Sequence, residues 1–196
     1  MHSDSHTSRI TFLAFVGASG SGKTTLIDAL MKERPEFERG ISCTTRPKRD
    51  SDPRGEYAYF SREEFEDHVR KDAFQWWGEF AGHRYGTLKR TLNDALSAKY
   101  ARVLTLTPEK NLLLNALHPS RVLSFLIVVS DKDVLRGRML ARGDSPADVS
   151  KRVELNREWE RQEAESVVPY LVIDNSGSVA SGVRAILTEL EARGIA

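Results

Sequence analysis

The sequence predicts an α/β fold in which helices cover both faces of a parallel sheet, and three observations carry that prediction. Short apolar segments rich in branched and aromatic residues recur at 10–16, 102–106, 122–129 and 171–173. Helical spacing appears between and after them, at 109–117, 132–141 and 179–192. Strands buried on both faces read as continuous apolar runs, and crossover helices must separate them if the sheet is parallel. The first such strand also runs directly into a glycine-rich turn and then a helix, the opening half of a βαβ unit.

Taken in order, Ile10-Thr-Phe-Leu-Ala-Phe-Val16 reads as the buried first strand, and Gly17-Ala-Ser-Gly-Ser-Gly22 as the turn that ends it. Leu26, Ile27, Leu30 and Met31 then recur on one helical face, with Pro35 and Gly40 closing the unit. Two stretches break the alternation. From Ile41 to about Arg90 the chain is rich in arginine, tyrosine and tryptophan, and the turn signals of Arg49-Asp-Ser-Asp-Pro-Arg-Gly55 suggest a small lobe. From Arg138 to Glu165 it is highly charged and reads as a solvated helical hairpin broken at Gly143 and Pro146. Lobes inserted above a doubly wound sheet are where such folds bind ligands and close over them. The expected organisation is a core of 9–40, 98–137 and 166–196, an acceptor-binding lobe of 41–97, a lid of 138–165 and a disordered leader of 1–8.

Composition narrows the function classes. Twenty-nine basic against twenty-eight acidic residues leave a net charge of +1, so no global field draws the chain to nucleic acid and any anion site must come from local placement. The single cysteine, Cys43, forms no disulfide within the chain and fits a reducing compartment. Met1 to Ser8 lacks the pattern of a signal peptide, and the apolar runs are too short to span a bilayer. A soluble cytoplasmic protein, monomer or homodimer, is expected.

Gly17-Ala18-Ser19-Gly20-Ser21-Gly22-Lys23-Thr24 satisfies G-x-x-x-x-G-K-[ST] in full. Glycines let the backbone turn its N–H groups inward as a nest for phosphate oxygens, and the helix that follows adds its positive N-terminal end. Lys23 supplies a movable charge for the β- and γ-phosphates, Thr24 carries the hydroxyl expected on Mg²⁺, and Thr25 continues the site into the first helical turn. ATP with Mg²⁺ is the expected donor.

Candidate acceptor contacts follow. Arg46 and Arg49, three residues apart, carry guanidinium forks suited to one oxyanion, with Ser42 before them and the Tyr57 phenol after the turn at Gly55. Phe74-Gln-Trp76-Trp77-Gly-Glu-Phe80 leads into Arg84-Tyr85-Gly86-Thr87, where aromatics beside a glycine-flanked tyrosine could stack on a flat ligand. The plainer reading of each piece is a solvated basic surface and tryptophans packed in a core.

Together these segments resemble the guanylate kinase family of P-loop nucleoside monophosphate kinases, over nearly the whole chain from about Ile10. The resemblance rests on the phosphate loop, Thr44-Thr45-Arg46-x-x-Arg49, Glu56-Tyr57, Arg84-Tyr85-Gly86-Thr87 and the lid-like stretch from Leu135 to Gly143. It implies the three-layer P-loop kinase fold with an inserted acceptor lobe and a helical lid. It also implies that Ser42, Arg46, Arg49 and Tyr57 hold the acceptor's phosphate and that Tyr85 and Thr87 line its base; Trp76 is a further candidate acceptor contact. Arg138, Arg142 and Arg152 would close from the lid onto the transferring group, and Asn175 would lie near the adenine of ATP.

Two segments depart from the pattern, at three positions. Family members that read guanine place a glutamate where this chain has Trp76, and an indole accepts no hydrogen bond from a base edge. Their Asp-x-Asp at the end of the next core strand is Thr105 and Thr107 here. Both losses resemble the ribose 1,5-bisphosphate phosphokinases, whose acceptor carries no base. Three readings therefore stand: an ATP-dependent nucleoside monophosphate kinase with GMP as the family default, a sugar-phosphate kinase, or a guanylate-kinase-like binding module that does not catalyse.

Overall fold

The computed structural model describes residues 9–50, 52, 54–80, 82–141 and 143–195. The expected first unit is present as β1 (Phe12–Val16), the glycine turn and α1 (Lys23–Glu33). The other core strands are β2 (Glu38–Arg39), β7 (Arg102–Thr105), β8 (Val122–Val128) and β9 (Tyr170–Asp174). They form one sheet in the order β2-β7-β1-β8-β9, parallel throughout. The first strand thus lies in the middle, with the glycine turn at its carboxyl end, where ligands bind in open parallel sheets.

β1 is buried along its whole length, and its pleat sorts its side chains into two cores. Leu13 and Phe15 pack with Leu26, Ile27 and Leu30 of α1 and with Val183, Ile186 and Leu190 of α7 (Val179–Glu191). Phe12, Ala14 and Val16 face the other way, onto Leu92 and Ala95 of α3 (Lys89–Ser97) and Leu114 of α4 (Pro108–Leu117). Helices on both faces of one sheet make three layers. Thr107 caps α4, its hydroxyl accepting from the Lys110 amide at 3.4 Å.

The lobe holds a second, mixed sheet in the order β4-β3-β6-β5, from β3 (Ser42–Thr44), β4 (Tyr57–Tyr59), β5 (Phe74–Phe80) and β6 (His83–Leu88). Its own small core joins Cys43, Phe74 and Leu88 to Phe65 of α2 (Arg62–Arg70). The capping box Ser61-Arg-Glu-Glu64 starts α2, with both reciprocal bonds made.

Strict alternation along β5 would put Phe74 and Trp76 on one face. A register shift between them sends Phe74 into the lobe core and Trp76, 8% exposed, into the main core beside Phe12 and Val16. Trp77 then turns to the lobe side, edge-on to Phe65 with centroids 6.1 Å apart.

The charged stretch forms α5 (Lys132–Ala141) and α6 (Pro146–Ala164). Ser145 caps α6 by accepting from the Asp148 amide at 3.1 Å, with Pro146 in the first turn, where its missing N–H costs nothing. Among the described residues no helix is long and apolar enough to cross a membrane.

Candidate active site

The phosphate loop is shaped by what surrounds it. Gly17 has φ +140, and a Cβ there would lie 2.3 Å from the Ile127 carbonyl oxygen of β8. Gly22, at the start of α1, has φ +88, and a Cβ there would lie 2.4 Å from Nδ2 of Asn175. Only glycine fits either place. Lys23 folds back over the loop, its Nζ donating to the carbonyls of Gly17 at 2.6 Å and Ala18 at 2.9 Å.

Asn175 lies beside this loop. It is 4% exposed, and its Nδ2 donates to the Ser21 carbonyl at 2.7 Å. Arg138 donates from Nη2 to the Asn175 carbonyl at 3.2 Å. Its Nη1 is buried and has no hydrogen-bond partner among the described residues, yet it stands 3.6 Å from where a Cβ on Gly22 would be. A buried donor without an acceptor is costly, and here it borders a nest built for phosphate oxygens.

Across the cleft, Arg46 and Arg49 hold different carboxylates. Arg46 Nη2 donates to Asp52 at 2.7 Å, and Arg49 Nη2 lies 3.3 Å from Asp144. Burial works against the Arg46 charge, but the hydrogen bond and ion pair with Asp52 outweigh it and hold the guanidinium more firmly protonated than usual. The guanidinium also sits over the Tyr57 ring, 5.3 Å from its centroid. Burial, reinforced by Glu56 and Tyr85, raises the Tyr57 phenol, which keeps it a hydrogen-bond donor at neutral pH.

The lid reaches both sides. Asp144, which meets Arg49, also lies 3.6 Å from Arg152 Nε on α6. Arg152 Nη1 donates to the Ser19 hydroxyl at 3.3 Å, and its guanidinium lies 5.1 Å from the Phe80 ring centroid. Trp159, two turns along α6, stacks on Phe80 with centroids 5.5 Å apart.

These groups meet in one cavity of about 1070 Å³. Its walls include Ser19, Gly20, Gly22, Lys23, Thr24 and Thr25 from the loop, and Ser42, Arg46, Arg49 and Tyr57 from the lobe. Trp76, Tyr85 and Thr87 border it on the lobe side, and Arg138, Arg152 and Asn175 on the lid side. Gly17, Ala18 and Ser21 stand behind that wall and shape the loop. Arg142 lies outside the described residues. Asn175 meets the phosphate loop, a contact the adenine-side expectation did not include.

Among the described residues no group of three or more His, Cys, Asp or Glu is placed to hold a metal. Mg²⁺ needs none, because it keeps several waters and takes most of its other ligands from the phosphates. Thr24 lines the cleft at the start of α1, so its hydroxyl fits that role. Thr105 and Thr107 also border the cavity, and the Thr107 hydroxyl caps α4 as well.

Several residues escaped sequence reasoning. Asp52 and Asp144 gave no signal, since neither partner choice nor burial of an isolated aspartate can be read from spacing. Asn156 is 5% exposed and bonds the phosphate loop, its Oδ1 accepting from the Ser19 amide at 2.8 Å. Glu163, farther along α6, has a buried Oε1 without a hydrogen-bond partner among the described residues. Burial, with Glu160 adding and Lys23 opposing, pushes its carboxyl up to about 7. The helical spacing of Arg152, Asn156, Trp159 and Glu163 could have marked them as one face.

The family model described as guanylate kinase matches residues 9–178. The guanylate kinase of Symbiobacterium thermophilum is 32% identical over 184 residues, covering 92% of this chain and 86% of the relative. That of Thermus thermophilus is 36% identical over 174 residues, covering 88% and 78%. A crystal structure of guanylate kinase from Anaplasma phagocytophilum superposes with a TM-score of 0.70 over 97% of this chain and 88% of that one, at 19% identity. That structure speaks to the P-loop kinase fold.

Proposed function

The chain belongs to the guanylate kinase family, and from that membership we propose an ATP-dependent phosphotransferase that moves the γ-phosphate of ATP to a nucleoside monophosphate, with GMP the family's default acceptor. One observation carries the reading. The phosphate loop and Arg46, Arg49 and Tyr57 face a single cavity, with the buried Nη1 of Arg138, unpartnered among the described residues, beside the loop.

The residues divide the work. The loop amides and Lys23 hold the β- and γ-phosphates, and Mg²⁺ on Thr24 would offset phosphate charge when bound. Arg46, Arg49 and Tyr57 hold the acceptor's phosphate so that one of its oxygens faces the γ-phosphorus. That oxygen forms the new P–O bond as the bond to the β,γ-bridging oxygen breaks and ADP leaves. Arg138 and Arg152 face the equatorial oxygens, where the transition state gathers charge. Positioning and charge neutralisation are what phosphoryl transfer needs from a protein.

A second reading has its own support. Trp76 is packed in the main core, and Trp77 is engaged by Phe65 and by Arg84, whose guanidinium is 5.7 Å from the indole centroid. Both indoles nevertheless border the cavity, so the weight falls on position 76, which offers no carboxylate to guanine. Unpaired donors on a buried guanine edge would cost about 1–3 kcal/mol each. The missing carboxylate favours an acceptor without a base, such as a sugar phosphate.

A phosphotransfer screen with Mg·ATP against the common nucleoside monophosphates and ribose 1,5-bisphosphate separates the readings. Transfer to GMP or another monophosphate supports the first, and transfer to the sugar phosphate alone supports the second. Turnover of nothing in the panel would leave a binding module and refute both.

A further inference from the structure

Asn156 is a polar side chain buried on the inner face of the lid helix, where a helix would ordinarily present an apolar residue. Both ends of its amide are used on one residue of the phosphate loop. Its Oδ1 accepts from the Ser19 amide at 2.8 Å, and its Nδ2 donates to the Ser19 carbonyl at 3.3 Å. The side chain therefore pairs with Ser19 as a neighbouring strand would, joining points 137 residues apart in sequence.

Arg152 lies one helical turn earlier on the same face and reaches the same residue, donating from Nη1 to the Ser19 hydroxyl at 3.3 Å. Among its other contacts with described residues, Asp144 at 3.6 Å is a longer ion pair and the face of Phe80 a non-directional packing contact. The two main-chain bonds of Asn156 are the more directional restraint on where α6 sits relative to the loop. They fix the rotation and height of the helix, and thereby the point from which Arg152 projects.

We propose that Asn156 is a positioning residue, docking the lid helix on the backbone of Ser19 so that Arg152 is held at the phosphate loop where the transferring phosphoryl group lies. This rests on the functional reading above for its catalytic consequence, and on the two Ser19 bonds for the docking itself. Asn156 lies behind the loop and does not line the cavity, so it acts through Arg152 and not on substrate.

The test is a double-variant cycle of Asn156→Ala and Arg152→Ala, with Asn156→Ser as a second, milder truncation. In the wild-type background, Asn156→Ala lowers kcat about tenfold while KM for Mg·ATP stays within about twofold, the pattern of an interaction expressed in the transition state. In the Arg152→Ala background the same change costs less than about twofold, because the group it positions is gone. A loss of equal size in both backgrounds, or no loss in kcat, overturns the proposal. Asn156→Ser should fall between wild type and Asn156→Ala, and serves if the alanine variant does not fold.

Hydrogen exchange on the nucleotide-free protein tests docking without any turnover. The Ser19 amide is protected in the wild type and loses protection in Asn156→Ala; protection retained in the variant refutes the docking. If the wild type transfers no phosphate, the functional reading fails, and the exchange result alone decides whether Asn156 holds the lid.

Discussion

Arg46 and Asp52 form an ion pair at 2.7 Å in which the two side chains are 7% and 9% exposed. Asp52 is itself anchored: its other oxygen accepts from the Arg49 amide and from the Tyr59 hydroxyl, both at 2.7 Å. Burial disfavours its charge, but the bonds from Arg46, Arg49 and Tyr59 outweigh this and hold the carboxyl below its ordinary range. The pair holds a guanidinium fixed at the wall of the cleft, where the proposed acceptor's phosphate would meet it.

Arg46→Ala should therefore act on the acceptor. It removes a guanidinium from the acceptor side and leaves Asp52 as a buried charge facing the incoming phosphate. We expect the acceptor KM to rise by about tenfold to a hundredfold, as for loss of a charge-assisted contact. KM for ATP should stay within about twofold. Steady-state kinetics with each substrate varied in turn reads this, and an equal loss on the ATP side would put the acceptor elsewhere.

Lys23→Ala should cut transfer sharply with little change in fold. In the free protein the ammonium bonds the loop's own carbonyls, and the loop keeps its shape through Gly17, Gly22 and the Asn175 bond to Ser21. Removing a full charge at the developing transition state costs about 10²–10³ in kcat. Circular dichroism melts should overlay those of the wild type.

Glu163 gives a pH dependence of stability. Its carboxyl is raised to about 7 in the folded protein, mainly by burial, from an ordinary value of 4.5. Between those values the folded state binds more protons than the unfolded one, so this group's contribution falls as pH rises through that window. Glu163→Gln removes the titration. The melting temperature of the variant minus that of the wild type should be near zero at pH 4.5 and grow to a plateau above pH 7. A flat difference would mean the carboxyl is ionised throughout.

Trp76 and Trp77 should differ sharply despite being adjacent. Trp76→Ala opens a hole beside Phe12 and Val16 and should cost about 3–5 kcal/mol in urea denaturation. Trp77, 41% exposed, loses only its contacts with Phe65 and Arg84, about 1 kcal/mol. Comparable losses would mean that the register shift in β5 does not separate them.

The two tryptophans also show where sequence reasoning stopped. β1, the glycine turn and α1 were legible because their signals are local: an apolar run, glycines at fixed spacing and a 3.6-residue period. The strands at 102–105 and 122–128 were found within a residue or two for the same reason. The face of Trp76 was not, because a one-residue register shift reverses alternation and leaves no mark in composition. β2 is two residues long and too short to carry a pattern. In the site, the loop and the clamp arginines could be read from residue type. Their partners could not: Asp52 and Asp144 divide the arginines between them, and Asn156 meets Ser19 from the far end of the chain. Such pairings exist only after folding.

Calorimetric titration of the wild-type protein and Lys23→Ala with Mg·ATP is the most direct test. One binding site per chain is expected in the wild type, and an affinity weakened at least tenfold in the variant. No heat of association with the wild type, under conditions where the protein is folded, would contradict the proposed function.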